Sequence, residues 1–366
     1  MKNIIRITAT LFALVLLAVA CGSDGTETAE TTTSTTSTSS TTTTEAPTTT
    51  ESTTTTTEEP ALGPTYPLTG EPLEEGNSPD HPAVVVKISN NDATARAALL
   101  GLNEADIIFE ERIEQSSTRF ASVFHSVLPE EIGSVRSGRT SDVQIVSNLN
   151  RPIFAFSGAN DGVHGQLRRA ENDGLLVRAS ADFADPQFRR IGDFSAPNNL
   201  VVDAAALLTK AEDGEPPLPI FDYTDNVIAL GGPSAGARVD ASTPAFYVWS
   251  PEDGGYLRFQ GDDPHMTRDG FQITPENVVV MSTTYVPSQI DASSVDAITV
   301  GSGPVVIYSG GFRVEGTWTR EFERDPYTFT TGDGDIIGLA PGQTWVSLTP
   351  AGTSTELSLE QADGLR

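Results

Sequence analysis

The sequence predicts an α+β fold: an N-terminal α/β-type domain with a mixed sheet, then a mainly antiparallel β domain. Three observations carry this. Apolar runs alternate with short helical segments from Ala83 to Leu208. After Pro216-Pro217 the runs become strand-like and are separated by Gly- and Asp-rich turns. The chain also holds 32 glycines and 24 prolines in 366 residues, which favours strands and loops over long helices.

In chain order, Ala83-Val84-Val85-Val86-Lys87-Ile88 reads as a strand covered on both faces. Thr94 to Leu100 is Ala/Leu-rich, stops at Gly101 and reads as a short helix. Asp106 to Ile113 and Thr118 to Ser126 are strands close enough to form a hairpin, and Leu128 to Gly133 is a turn. Ser141 to Leu149 is a helix with Val143, Ile145, Val146 and Leu149 roughly on one side. Pro152 to Phe156 and Leu175 to Arg178 are strands flanking a helix from Asp161 to Arg169. Asp203 caps a helix ending at Leu208. In the second half, Phe246–Trp249, Tyr256–Phe259, Val278–Val286, Val305–Tyr308, Phe312–Trp318 and Thr344–Leu348 are strands. The domains are therefore 64–215 and 216–366.

What precedes residue 64 is read as an address and a tether. Lys2 and Arg6 precede an uncharged run from Ile7 to Ala20, too short to span roughly 30 Å of hydrocarbon comfortably. It ends Leu17-Ala18-Val19-Ala20-Cys21, a bacterial lipobox pattern. This predicts a signal peptide at 1–20 and thioether lipidation of Cys21, the single cysteine. Several acyl chains, palmitate among them, would make the anchor effectively permanent. In Thr31 to Thr57, 18 of 27 residues are Thr and 5 are Ser. With no apolar face, residues 22–63 read as a disordered linker. The expected location is the extracytoplasmic face of the bacterial cell membrane.

Charge narrows the partners. The chain carries 22 basic and 50 acidic residues, a net charge of −28, and residues 64–366 alone are near −23. That balance excludes a nucleic-acid partner, since nothing could neutralise a run of phosphates. One cysteine excludes a disulfide or cysteine-metal framework. The histidines His81, His125, His164 and His265 lack metal-ligand spacing, so neither a metal nor a cofactor is expected.

Against this acidic background, Arg136-Ser137-Gly138-Arg139 stands out. Two guanidiniums, and backbone N–H groups at the start of the following helix, would form an anion site for a carboxylate, phosphate or pyrophosphate. The competing reading pairs Arg136 and Arg139 with Glu110, Glu111 or Glu114. Glu110, Glu114 and Arg119 lie in the adjacent hairpin, where strand alternation would put both glutamates on one face. The ligand-binding set is therefore Glu110, Arg119, Arg136, Ser137 and Arg139, with His265 in Asp262-Asp263-Pro264-His265 as a further member. Gly232-Pro233-Ser234-Ala235-Gly236 matches G-x-S-x-G but precedes a non-helical stretch, so it reads as a loop. Gly332-Asp333-Gly334-Asp335 reads as a hairpin turn.

Several of these motifs together resemble a known family. Ala105-Asp106-Ile107-Ile108-Phe109-Glu110, Thr118-Arg119-Phe120 and Ile132-Gly133-Ser134-Val135-Arg136-Ser137-Gly138-Arg139 resemble the YerB-like lipoprotein family, a domain of unknown function. Asp263-Pro264-His265, Glu315-Gly316-Thr317-Trp318 and Leu339-Ala340-Pro341-Gly342-Gln343-Thr344-Trp345 continue the resemblance, over roughly residues 66–350. The chain departs from the family's Pro-His-Asn step at Pro197-Asn198-Asn199. The resemblance implies a surface lipoprotein with paired domains. The expected function is binding of an anionic cell-envelope component. One alternative is an envelope phosphotransferase or hydrolase, because the layout resembles that of LytR-CpsA-Psr phosphotransferases. The other is a structural or protein-interaction lipoprotein.

Overall fold

The computed structural model describes residues 64–114, 117–224, 226, 230–241 and 243–366. The signal segment, Cys21 and the Thr/Ser tract lie outside the described residues. The first half supplies strands β1 (Val84–Ser89), β2 (Ile107–Arg112), β3 (Thr118–Phe124), β4 (Ile153–Phe156) and β5 (Val177–Ser180). The second supplies β6 (Gly236–Val239), β7 (Ala245–Ser250), β8 (Gly255–Gln260), β9 (Asn277–Ser282), β10 (Gly301–Ser309), β11 (Phe312–Arg320), β12 (Thr328–Thr330), β13 (Thr344–Thr349) and β14 (Ser354–Glu356).

Both halves contribute to one mixed sheet of order β12-β11-β10-β9-β13-β2-β3-β1-β4-β5. Strand β13 sits between β9 and β2 and runs parallel to both. The β2–β3 hairpin and the β3–β1 pair are antiparallel, and β1–β4 and β4–β5 are parallel. The sheet is therefore α+β in character: mixed in the N-terminal part, mostly antiparallel in the C-terminal part. Strands β6, β7, β8 and β14, with Asp263–Pro264, form a separate antiparallel sheet.

Every residue of β1 is buried, as its nearly unbroken apolar run requires. On one face Val85, Ile107, Phe109, Ala121 and Val123 pack against α2 (Asp142–Val146) and α3 (Asp161–Asn172) through Val143, Ile145, Val163 and Leu167. On the other face Val84, Val86, Ile88, Ile108, Phe120 and Trp345 pack against Ala237, Val239, Tyr247 and Tyr256 of the second sheet. Helix α4 (Ala204–Leu207) starts where expected, its Ala206 N–H donating to the Asp203 side chain.

Two expectations are corrected. The predicted helix Ser141–Leu149 shrinks to five residues, because Ser147, whose hydroxyl donates to the Glu323 carbonyl, ends it. The predicted strand Val278–Val286 breaks into β9 and a separate Thr284–Pro287 strand pairing with Val295–Ile298. At the break, the Thr283 N–H donates to the Thr349 carbonyl.

Candidate functional site

Strand alternation sorts the polar side chains of β1, β2 and β3 onto two faces. In the hairpin register Glu111 lies opposite Arg119, and Glu110 opposite Phe120. In the neighbouring pair Ser89 lies opposite Arg119 and Lys87 opposite Ala121. Lys87, Glu111 and Arg119 therefore share the helix-covered face, while Glu110 faces the second sheet.

On the helix-covered face the Lys87 ammonium donates to Glu111 Oε1 at 2.5 Å and pairs with Asp142 Oδ1 at 2.7 Å. All three side chains are fully buried. Burial pushes the Asp142 carboxyl up to about 6; Lys87 pulls against this and Glu111 adds to it. Lys87 also grips the arginine loop at both ends. Its carbonyl accepts the Arg136 N–H at 2.8 Å, and Asp142, which it holds, accepts the Arg139 N–H at 2.5 Å. The Gly138 N–H donates to the Gly158 carbonyl. These loop N–H groups are thus spent internally, and α2 is too short to serve an anion. This corrects the expectation for the N–H groups of Arg136, Gly138 and Arg139, which are not available to an anion.

The arginine side chains converge. Arg119 is 2% exposed and hydrogen-bonds no carboxylate, although Glu114 and Glu111 act on its charge from nearby. Its Nη2 donates to Asn91 Oδ1 at 3.0 Å and its Nη1 to the Ser137 carbonyl at 3.3 Å, while its Nε has no partner. Burial first, then the nearby Arg139 and Arg136, pull its pKa down to about 9. Arg136 is half-buried, and its Nη1 donates only to Asn198 Oδ1, at 3.4 Å. Asn198 is the middle residue of Pro197-Asn198-Asn199, where the chain departs from the motif. Arg139 is committed: its Nε donates to Glu114 Oε2 at 2.9 Å and its Nη2 to Glu114 Oε1. Ser137 is half-buried at the turn, with its Oγ close under Gly158.

Glu110 and His265 are not brought to this cluster. Glu110 Oε2 accepts from Arg258 Nη2 and Trp345 Nε1, each at 3.1 Å, and its Oε1 accepts from Thr118 Oγ1 at 2.8 Å. Arg258 is fully buried, with its guanidinium 4.4 Å from the centre of the Trp345 ring. His265 accepts from Arg258 Nη1 through Nδ1. Burial, then Arg258 and Arg96, hold its imidazole well below the ordinary value, so it is neutral. This set fastens the second sheet to the first. Glu110 and Glu114 do not share a face as expected, because β2 ends at Arg112 and the turn closed by the Ile113 N–H on the Ser117 carbonyl breaks the alternation.

Sequence reasoning missed Lys87 and Arg258. The signal for Lys87 was a lone lysine in an otherwise apolar run; Arg258, between Leu257 and Phe259, offered a weaker one. Cavities of about 450 Å³ beside Trp318 and about 570 Å³ beside Trp249 are lined by neither cluster. Among the described residues, no group of His, Cys, Asp or Glu is arranged to hold a metal. Nor is any helix there long and apolar enough to cross a membrane.

One sheet shared by two sequence halves, with helices on one face and a smaller sheet on the other, defines the class: a two-part α+β protein with a guanidinium cluster at the end of its central hairpin. The chain belongs to the DUF3048 family. Residues 68–216 match "Protein of unknown function (DUF3048) N-terminal domain", and residues 237–346 match the C-terminal domain of the same description. It is 28% identical over 301 residues to "Putative lipoprotein YerB" of Bacillus subtilis (strain 168), covering 78% of this chain and 86% of that one. The crystal structure of the YerB protein from Bacillus subtilis has the same fold, with a TM-score of 0.69 at 22% identity, covering 80% of this chain and 99% of that one.

Proposed function

We propose that this chain is a lipid-anchored extracytoplasmic protein that binds an anionic component of the cell envelope through Arg119, Arg136 and Ser137, with Arg139 beside them. The anchoring rests on the lipobox at Cys21 and on the lipoprotein description of the Bacillus subtilis relative. The anion reading rests above all on Arg119, a nearly fully buried guanidinium whose hydrogen-bond partners are neutral oxygens and which Arg139 and Arg136 affect more strongly than Glu114 and Glu111 do. Gathering like charges at depth costs free energy that an anionic ligand offsets.

The test is native mass spectrometry of the full chain extracted from its own envelope in mild detergent. Wild type should carry a phosphate- or carboxylate-bearing species that the Arg136→Ala, Arg139→Ala double variant loses. If both carried the same species, or neither carried any, the reading would be wrong.

A further inference from the structure

A cavity of about 570 Å³ opens at the end of the second sheet and touches neither charged cluster. Pro233 before β6, Trp249 and Pro251 at the end of β7, Phe312 at the start of β11, and Leu357 and Leu359 beside α5 (Leu359–Leu365) form its apolar walls. Leu359 is 74% exposed, on the first turn of a helix that the Ser358–Gln361 capping box fixes in place. The polar groups left over around this cavity are mostly donors. Trp318 and Trp345 spend their indole N–H groups on the Ser282 carbonyl and on Glu110, whereas that of Trp249 has no partner among the described residues. It lies beside the lining turn Gly310-Gly311, where a Cβ on Gly311 would stand 2.6 Å from Trp249 Nε1. Ser234 Oγ accepts from the Gly236 N–H at 3.2 Å and keeps its own proton to donate. Carbonyls nearby are already used: that of Gly311 accepts from the Ser234 N–H, that of Ala235 from the Trp249 backbone N–H, and that of Trp249 from Arg366. Among the described lining side chains the one carboxylate is Glu356. It stands 3.9 Å from Arg313 Nε, but Glu315 holds Arg313 more closely, and Arg366 is paired with Asp363. Exposed Glu252 and Glu360 adjoin the lining residues Pro251 and Leu359, so acids predominate around the mouth.

We propose that this cavity docks an extended, proline-containing segment of a partner protein, with a basic residue of that segment beside Glu356. A prolyl residue carries a carbonyl and no N–H, so it matches a site rich in donors and poor in acceptors. In the polyproline II conformation its backbone makes no internal hydrogen bonds, and its rings pack against aromatic walls. A sugar brings donors as well as acceptors and would leave hydroxyls unmatched here. An acyl chain would cover the Trp249 N–H without satisfying it. The charge around the mouth supplies the preference for a basic neighbour. This docking is independent of the arginine cluster.

Titration of the nitrogen-15-labelled full chain, followed by NMR at its three indole N–H resonances, tests the proposal. The probe is a blocked peptide of four prolines followed by arginine. The controls replace its prolines with alanine or its arginine with glutamate; maltose and a short-chain phosphatidylglycerol stand for sugar and lipid. The probe should shift the Trp249 resonance and bind about fivefold more tightly than the alanine peptide, the scale of one hydrogen bond. It should bind about threefold more tightly than the glutamate peptide, the scale of an exposed ion pair, and Glu356→Gln should erase that second margin. Trp249→Phe assigns the resonance and should remove most of the binding. Because Trp249 also packs on Tyr256, the exposed Leu359→Ser provides a second measurement and should weaken the probe severalfold. An unmoved Trp249 resonance, equal affinity for either altered peptide, or unchanged affinity in Leu359→Ser overturns the proposal. So does tighter binding of maltose or the phosphatidylglycerol at the same resonance. None of these outcomes bears on the anion-site reading.

Discussion

Replacing Lys87 with methionine keeps the reach of the side chain and removes the ammonium. In the native protein that ammonium contacts Glu111 at 2.5 Å and Asp142 at 2.7 Å, with all three side chains at zero exposure. Removing it strands two carboxylates in a medium that solvates them poorly. Breaking a buried ion pair from one side costs about 3–5 kcal/mol, a large share of the roughly 5–15 kcal/mol that holds a typical domain together. The cost should depend on pH, and its sign follows from Asp142. Its folded pKa, about 6, lies above the ordinary 3.8. A group raised in this way contributes stability that is fully present below the unfolded value and is lost as pH rises through the folded one. Without Lys87 the strongest downward pull on Asp142 disappears, its pKa climbs further, and the window of loss extends upward. Urea unfolding at pH 5 and pH 8 should therefore show a small deficit for Lys87→Met at the lower pH and the full one at the higher. A deficit equal at both, or under about 1 kcal/mol at pH 8, would refute the argument that the triad is a charged cluster held by the lysine.

Arg139→Ala should cost about 1 kcal/mol in urea denaturation, because its bridge to Glu114 is partly exposed and screened. Arg136→Ala should stay within about 0.5 kcal/mol of wild type, since it breaks no carboxylate pair; a loss of several kcal/mol in both variants would favour a purely structural role for the arginines. Gly158→Ala should lower stability by about 1–3 kcal/mol and weaken anion binding, because φ is +87° there and a Cβ would stand 2.9 Å from Ser137 Oγ; unchanged titration curves would show that the loop is free to shift. Cys21→Ala should move the protein out of the detergent phase in partitioning experiments, and retention there after signal processing would contradict lipid anchoring.

Local features were the legible ones. The near-continuous apolar run at 83–88 implied burial on both faces, and β1 is buried on both. Asp203 caps its helix as its residue type and position suggested. What could not be read was non-local. Strand β13 lies parallel between β9 and β2, a placement that leaves no trace in the residues of 344–349 themselves. The break at Thr283 depends on a hydrogen bond to Thr349, sixty-six positions away. At the site, Arg119, Arg136, Ser137 and Arg139 were singled out because two close arginines are unusual in so acidic a chain. Glu110 was grouped with them because residue spacing alone does not give the hairpin register. That register pairs Glu110 with Phe120 and so turns it to the opposite face. Arg258 reaches Glu110 from 148 positions away, so only the packed structure reveals it.

The position of β13 also sets an order of events. A chain emerging N-terminus first presents β2 long before residues 344–349 exist to lie beside it. The edge of β2 that β13 will cover, from Ile107 to Glu110, must wait through more than two hundred further residues. Sheet closure thus waits until residues 344–349 have been made, and the exposed edge of β2 needs shielding until then. The same geometry limits inheritance: a recombination event that exchanged one half alone would leave the recipient's central sheet with an unfilled slot, so the two halves are expected to travel together through evolution.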